Sequence, residues 1–142
     1  MVVLDAYGVV AVLAQEPAAR EVEETLRVDQ TAIPTVNLAE ALDVLVRVRG
    51  AARSRALQGL RLLFHAGLRP IPTELETAFR AADLRAAHYH RTACPVSIAD
   101  CVLLAHAGPE DRVATSDPHV AALARAEGIG LVPLPDSSGR RP

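Results

Sequence analysis

The first apolar segment is three residues long: Val2-Val3-Leu4, stopped by Asp5. An apolar run without polar alternation predicts a strand buried on both faces, as in a parallel sheet. An apolar helix follows over 7–14. Pro17 suits the first turn of another, running to about residue 28, with Val22 and Leu26 four apart on one face. A second short strand is predicted over 32–34, and Thr35 or Asn37 then caps a helix over 38–49. Gly50 breaks that helix. Leu57, Leu60, Leu63 and Phe64, at three- and four-residue spacing, predict a helix over 54–65 packed back on its predecessor. Gly67 stops it, and a strand over 68–71 carries Pro70, which favours a sheet edge.

Thr73-x-x-Glu76 has the form of a capping box for a helix over 74–89. A loop over 94–97 leads into a helix over 98–107, and a strand follows over 112–115. Pro118 opens a helix that reaches Glu127 and is ended by Gly128. The last strand is predicted over 131–134. Short strands alternating with helices make the fold class α/β, with about five strands in a parallel sheet between helices. The 142 residues suit one domain, expected over 1–135, with a flexible tail over 136–142.

Composition narrows the chemistry. All 15 basic residues are Arg and none is Lys, which removes Lys Schiff bases, Walker-type phosphate cradles and Ser–Lys dyads. The net charge of −2 gives no general attraction to nucleic acid, so such a partner must be held by a local patch. Cys94 and Cys101 fit no zinc spacing and are expected as free thiols. No segment approaches the roughly 18 apolar residues of a membrane span. With no basic leader at the N-terminus, a soluble cytoplasmic protein is expected.

The acids are placed more tellingly. In a parallel α/β sheet, strand C-termini and helix N-termini share one edge, where ligands bind. Asp5 ends the first strand, and Asp117 follows the strand over 112–115. Asp100 lies in the first turn of the helix over 98–107, and Glu40 in the first turns of the helix over 38–49. Asp5, Glu40 and Asp100 sit in small or apolar surroundings, where an unpaired carboxylate is costly. Two readings are open: each acid caps a turn or helix, or the four together hold a hard cation through oxygen ligands.

Val2-Val3-Leu4-Asp5, Asn37-Leu38-Ala39-Glu40, Ser97-Ile98-Ala99-Asp100 and Ala114-Thr115-Ser116-Asp117 resemble the four acidic motifs of PIN-domain proteins. Their order and spacing and the chain length resemble those of the small VapC-like ribonuclease toxins of type II toxin–antitoxin pairs. The resemblance implies a PIN-like fold and an endoribonuclease that uses Mg²⁺ or Mn²⁺ to hydrolyse RNA phosphodiester bonds. It also implies a homodimer silenced by a VapB-like antitoxin. It makes Asp5, Glu40, Asp100 and Asp117 metal ligands, with Thr115 beside them as the hydroxyl two residues before the last acid. The family commonly has a small hydroxyl residue soon after the first Asp; here Ala6-Tyr7-Gly8 follows, and Tyr7 is the one hydroxyl available.

Between Asp43 and Glu74 lie six Arg and no acid. This is either an RNA-backbone patch or a solvated helical hairpin. Arg49, Arg53 and Arg55 surround the hairpin turn and are the RNA-binding candidates. His88 and His90 are expected to complement a helix C-terminus rather than bind metal. His119 is expected at an exposed helix start, and Asp43 lies one turn beyond Glu40. A haloacid-dehalogenase-type phosphatase would need an acid at position 7, occupied by Tyr, and a Lys; a phospho-receiver domain also needs a Lys. The alternative that remains is a non-catalytic module that keeps the fold and binds RNA or a protein.

Overall fold

A computed structural model describes residues 1–142. Five strands, β1 (Val2–Leu4), β2 (Thr31–Pro34), β3 (Leu68–Ile71), β4 (Arg112–Thr115) and β5 (Gly130–Pro133), form one sheet in the order β3-β2-β1-β4-β5. Every neighbouring pair is parallel. Seven α-helices surround it: α1 (Ala6–Ala14), α2 (Ala19–Val28), α3 (Thr35–Asp43), α4 (Arg53–His65), α5 (Leu75–His88), α6 (Ile98–Ala105) and α7 (Pro118–Ala126).

The pleat divides the core. Val2 and Leu4 pack with α1, α2 and α4 on one face, while Val3 packs with α5, α6 and α7 on the other. Val113 and Ala114 divide in the same way, because successive side chains of a strand point to opposite faces. Both faces are therefore covered, which explains the unbroken apolar strands. Pro70 is accommodated because β3 is an edge strand that pairs only with β2.

Two expected caps are corrected. α3 starts at Thr35, directly after β2, with Pro34 at its N-cap and no side-chain cap. Neither Thr35 nor Asn37 serves; Asn37 is wholly buried and neither its amide nitrogen nor its oxygen has a protein partner. The N-cap of α5 is Glu74, again without a side-chain cap bond, and the buried Thr73 hydroxyl is unpartnered. The capping box sits elsewhere: Ser97 and Asp100 satisfy each other's backbone N–H groups at the start of α6. α3 does not run on regularly to Arg49 but widens into a π turn, Val44–Val48, that ends in Arg49 and Gly50. Gly50 takes φ 68°, which a glycine adopts without strain.

The cysteines are free, and no helix is long and apolar enough to cross a membrane. After Leu134 the chain folds back on itself. Asp136 accepts from Ser138 and Arg140, and Arg141 pairs with Glu21 of α2 at 2.7 Å.

Candidate functional site

β1 is the central strand, with β2 and β4 on either side. The chain leaves β1 for β2 on one side and returns to β4 on the other, and the crevice beyond such a reversal is where open parallel sheets bind ligands. A cavity of about 390 Å³ opens there, and Asp5, Glu40, Asp100 and Asp117 all line it. Tyr7, Arg49, Ser116 and Pro118 complete much of its wall.

The two readings of the acids are both realised, because three of the four are caps that also face the cavity. Asp5 is the N-cap of α1; its Oδ1 accepts from Ala6 N–H at 2.6 Å and its Oδ2 from the Thr115 hydroxyl at 2.7 Å. Asp100 Oδ2 accepts from Ser97 N–H at 2.6 Å. Asp117 is the N-cap of α7, and its Oδ1 accepts from His119 and Val120 N–H. Each of the latter two caps occupies one oxygen, which leaves Asp100 Oδ1 and Asp117 Oδ2 uncommitted. Glu40, in the second turn of α3, makes no cap bond.

Thr115 is wholly buried and ties two acids together, donating to Asp5 and accepting from Asp117 N–H at 3.1 Å. Tyr7 does not play this part. Its hydroxyl is turned toward Glu16, and burial together with that carboxylate pushes it up to about 12. Neither the hydroxyl nor Glu16 Oε2 has a well-formed hydrogen bond.

Burial pushes Asp5 up to about 7; the Thr115 hydroxyl pulls it down, and Asp100 and Glu40 raise it further by repulsion. Burial is also the main cause of the raised Glu40 and Asp100, reinforced by Asp100 for Glu40 and by Asp117 for Asp100. Three acids are thus shifted toward neutrality by a shared, partly dehydrated negative field. A divalent cation relieves such a field.

The donor set fits a hard cation in an open arrangement. The donors are all carboxylate oxygens, and no three of the side chains converge into a preformed cage. Mg²⁺ suits this, since it dehydrates reluctantly, keeps several waters and takes only one or two carboxylates beside a substrate phosphate.

The other residues singled out from the sequence are dispersed. Arg49 lines the cavity. Arg53 opens α4 in solvent, and Arg55 lines a separate apolar hollow beside Leu13 and Leu45. Asp43 is tied to Arg47 on the surface. His88 pairs with Glu127, and His90 Nδ1 accepts from the turn at Thr92 and Ala93. His119 lowers Asp100 electrostatically, which places it beside the acids. Glu16 and Ser97 do not stand out in the sequence; the one signal for Ser97 is Ser-x-x-Asp ahead of an apolar run.

The family profile described as PIN domain matches residues 2–126. No curated protein matches the sequence. Among solved structures, VapBC2 from Rickettsia felis, bound to a DNA fragment from its promoter, is similar at 17% identity and TM-score 0.68, covering 93% of this chain and 98% of that one. DNA-bound VapBC from Salmonella typhimurium is similar at 20% identity and TM-score 0.69, covering 92% and 96%. A toxin–antitoxin complex from Klebsiella pneumoniae is similar at 18% identity and TM-score 0.65, covering 93% and 96%. At these identities the structural likeness is one of fold. With the family match spanning nearly the whole chain and the five-stranded parallel sheet agreeing with it, the protein belongs to the PIN domain family.

Proposed function

We propose that this protein is a metal-dependent endoribonuclease, the toxin of a toxin–antitoxin pair. The observation that carries the reading is the meeting of Asp5, Glu40, Asp100 and Asp117 in one cavity at the ligand-binding edge of a PIN fold. A bound Mg²⁺ or Mn²⁺ would activate water and neutralise charge developing on a phosphodiester. The chain's own part is positional. Two hydrogen bonds fix the Asp5 carboxylate, Thr115 locks Asp5 to Asp117, and the caps hold Asp100 and Asp117 through one oxygen each, which leaves the other oxygen of each acid without a protein partner. Purified protein, free of any partner, should cleave total RNA with Mn²⁺ and not with chelator. Metal-independent RNA binding without cleavage would instead favour a non-catalytic PIN module.

Arg49, Arg53 and Arg55 are assigned to the RNA backbone. Replacing all three by Ala should flatten the salt dependence of RNA binding by about 0.7 slope units for each phosphate of single-stranded RNA that the protein ceases to neutralise. An unchanged slope, measured by fluorescence anisotropy across a salt series, rules the patch out.

The partner proposed is a VapB-like antitoxin. Leu38, Leu42, Leu57, Leu60 and Phe64 line an apolar groove of about 290 Å³ between α3 and α4. α3 also carries Glu40, which lines the acid cavity, and the antitoxin segment is proposed to present an Arg or Lys to those carboxylates. Charge complementarity favours such a basic group. Three similar structures are VapBC or toxin–antitoxin complexes, which supports the pairing.

A homodimer is also proposed, through α5. Leu75 and Phe79 are 66% and 56% exposed, and Ala82, Ala86 and Tyr89 continue the same face at alternating four- and three-residue spacing. Ile98 flanks this face across a shallow hollow. At the 150–250 Å² an aromatic side chain presents, Phe79 and Tyr89 alone expose roughly 200 Å² per copy, about a quarter of what one side of a standard interface buries. An inverted second copy sets Leu75 against Ala86 and Phe79 against Ala82, large against small, as an isologous contact requires. Phe79→Asp should convert the dimer to a monomer in light scattering while the far-UV circular dichroism spectrum stays that of the wild type. A dimer that survives this substitution, or a monomeric wild type, rules the surface out.

A further inference from the structure

The acid cavity has one basic residue in its wall, Arg49, and that residue does not touch the acids. Its salt bridge is to Glu16, 33 residues away in the chain, and to none of Asp5, Glu40, Asp100 or Asp117. Arg49 follows directly on the π turn. Nine residues of regular α-helix make about 2.5 turns, which would turn Arg49 away from Glu40. The i→i+5 bond from Arg49 N–H to the Val44 carbonyl takes up an extra residue and brings the side chain round to the cavity.

Glu16 is held more firmly than Arg49: its side chain is 9% exposed, against 45% for the arginine. It follows α1 after Gln15, which adopts the left-handed conformation, and its N–H bonds back to the Ala11 carbonyl. One carboxylate oxygen binds Arg49; the other is buried and faces the Tyr7 hydroxyl without a well-formed hydrogen bond. A buried carboxylate so imperfectly satisfied is a poor way to gain stability. The arrangement makes sense as a means of placing Arg49.

An arginine left beside four carboxylates would fold onto them. It would then compete with any cation and lose its own capacity for an anion. Held by Glu16 at one end, the guanidinium keeps further N–H donors free in a planar fork suited to a phosphate. We propose that Glu16 is a positioning residue: it anchors Arg49 at the rim of the carboxylate cavity, where the arginine receives an RNA phosphate, and it keeps that arginine off the metal-binding acids. This inference rests on the nuclease reading above and adds to it a device that the four acids do not imply.

The test is a double-substitution cycle with two readouts, Mn²⁺ binding by calorimetry on the partner-free protein and the KM and kcat of RNA cleavage. Freed by Glu16→Gln, Arg49 should swing onto the acids and weaken Mn²⁺ binding by roughly tenfold, the low end of the range over which groups around a ligand set tune metal affinity. In an Arg49→Ala background the same Glu16→Gln change should leave Mn²⁺ binding unaltered, because no arginine remains to swing. Arg49→Ala alone should raise KM more than it lowers kcat and should not weaken Mn²⁺ binding; Arg49→Lys should restore part of the KM.

Equal loss of Mn²⁺ affinity on Glu16→Gln with and without Arg49, or no loss in either, overturns the positioning role. If Glu16→Gln does not fold, Glu16→Asp, which retracts the anchor by one methylene, should weaken Mn²⁺ binding in the same Arg49-dependent way, and an Arg49-independent effect overturns the proposal equally. A wild type that binds no Mn²⁺ and cleaves no RNA removes the nuclease reading and this inference with it. A wild type that does both while the cycle is additive removes only this inference.

Discussion

Asp5→Asn and Asp100→Asn should each lower the rate of RNA cleavage at saturating Mn²⁺ by roughly 10²–10³-fold, the scale of losing one preorganised electrostatic group from an active site. Glu40→Gln and Asp117→Asn should fall in the same direction. Asparagine is an informative replacement because the structure gives three of these acids a second role. Asp5 and Asp117 are N-caps and Asp100 closes a capping box. An amide oxygen serves these backbone N–H groups nearly as well as a carboxylate, so at Asp100 and Asp117 Asn removes the charge and keeps the cap, whereas at Asp5 it also costs the hydrogen bond accepted from the Thr115 hydroxyl. At Asp100 and Asp117 a loss of activity without a loss of melting temperature then identifies the charge as the functional part.

Two controls sharpen this. Asp43→Asn should leave cleavage unchanged, since Asp43 is exposed and tied to Arg47 outside the cavity. Thr115→Val should cost roughly 10–100-fold, the usual effect of losing a group that orients a ligand, because it frees Asp5 from its partner. Wild-type cleavage by Asp100→Asn would dismiss the four-acid site. Initial rates on a defined RNA with each variant provide the measurement.

The second large effect is on stability. In chelator, the melting temperature of the wild type should fall relative to Asp5→Asn as pH rises from about 4 to about 7, and the gap should stay constant above that. The Asp5 carboxyl is raised from 3.8 to about 7 in the folded protein by burial and by the neighbouring carboxylates. A raised carboxyl favours the folded state while protonated, so its contribution is complete below the unfolded value and is lost as pH climbs through the folded value. A shift of about three units corresponds to on the order of 4 kcal/mol. Glu40 and Asp100 are raised too and act in the same sense.

His106 opposes the trend. Burial lowers its pKa, so its share of stability is lost as pH falls. It is present in both proteins, and their difference isolates Asp5. Excess Mn²⁺ at pH 7.5 should raise the wild-type melting temperature through binding linkage and raise Asp5→Asn much less. Parallel pH curves for the two proteins in chelator would show that the Asp5 charge carries no strain.

Much of the architecture was legible because it follows from local chemistry. Val2–Leu4 and Arg112–Thr115 are strands at their expected limits, since an apolar run with no alternation has little other use in a short α/β chain. Pro118 and Gly128 bracket α7 as expected, Pro118 in the first turn and Gly128 just beyond its end at φ 70°. Caps were less legible. Thr73-x-x-Glu76 and Ser97-x-x-Asp100 are similar patterns, but only the second is used. Which hydroxyl reaches a helix end depends on how the preceding loop is packed, and local spacing does not encode that.

The α/β class, the four acids in their order, and their assignment to the edge where parallel strands end are all written in the order of residues along the chain. Strand polarity and helix direction follow from chain order once the pattern of elements is read. Tertiary structure alone decided which of these groups meet. It brought Asp5 and Thr115 together at 2.7 Å across 110 residues, and it separated Arg49 from Arg53 and Arg55 although all three lie within seven positions. It turned Tyr7 toward Glu16 and the Thr115 hydroxyl toward Asp5. The physical reason is the range of the forces involved. Hydrophobic periodicity and turn chemistry act over a few residues and are written in neighbouring positions. The pairing of buried charges is set by whatever the packed sheet and helices bring within hydrogen-bonding distance.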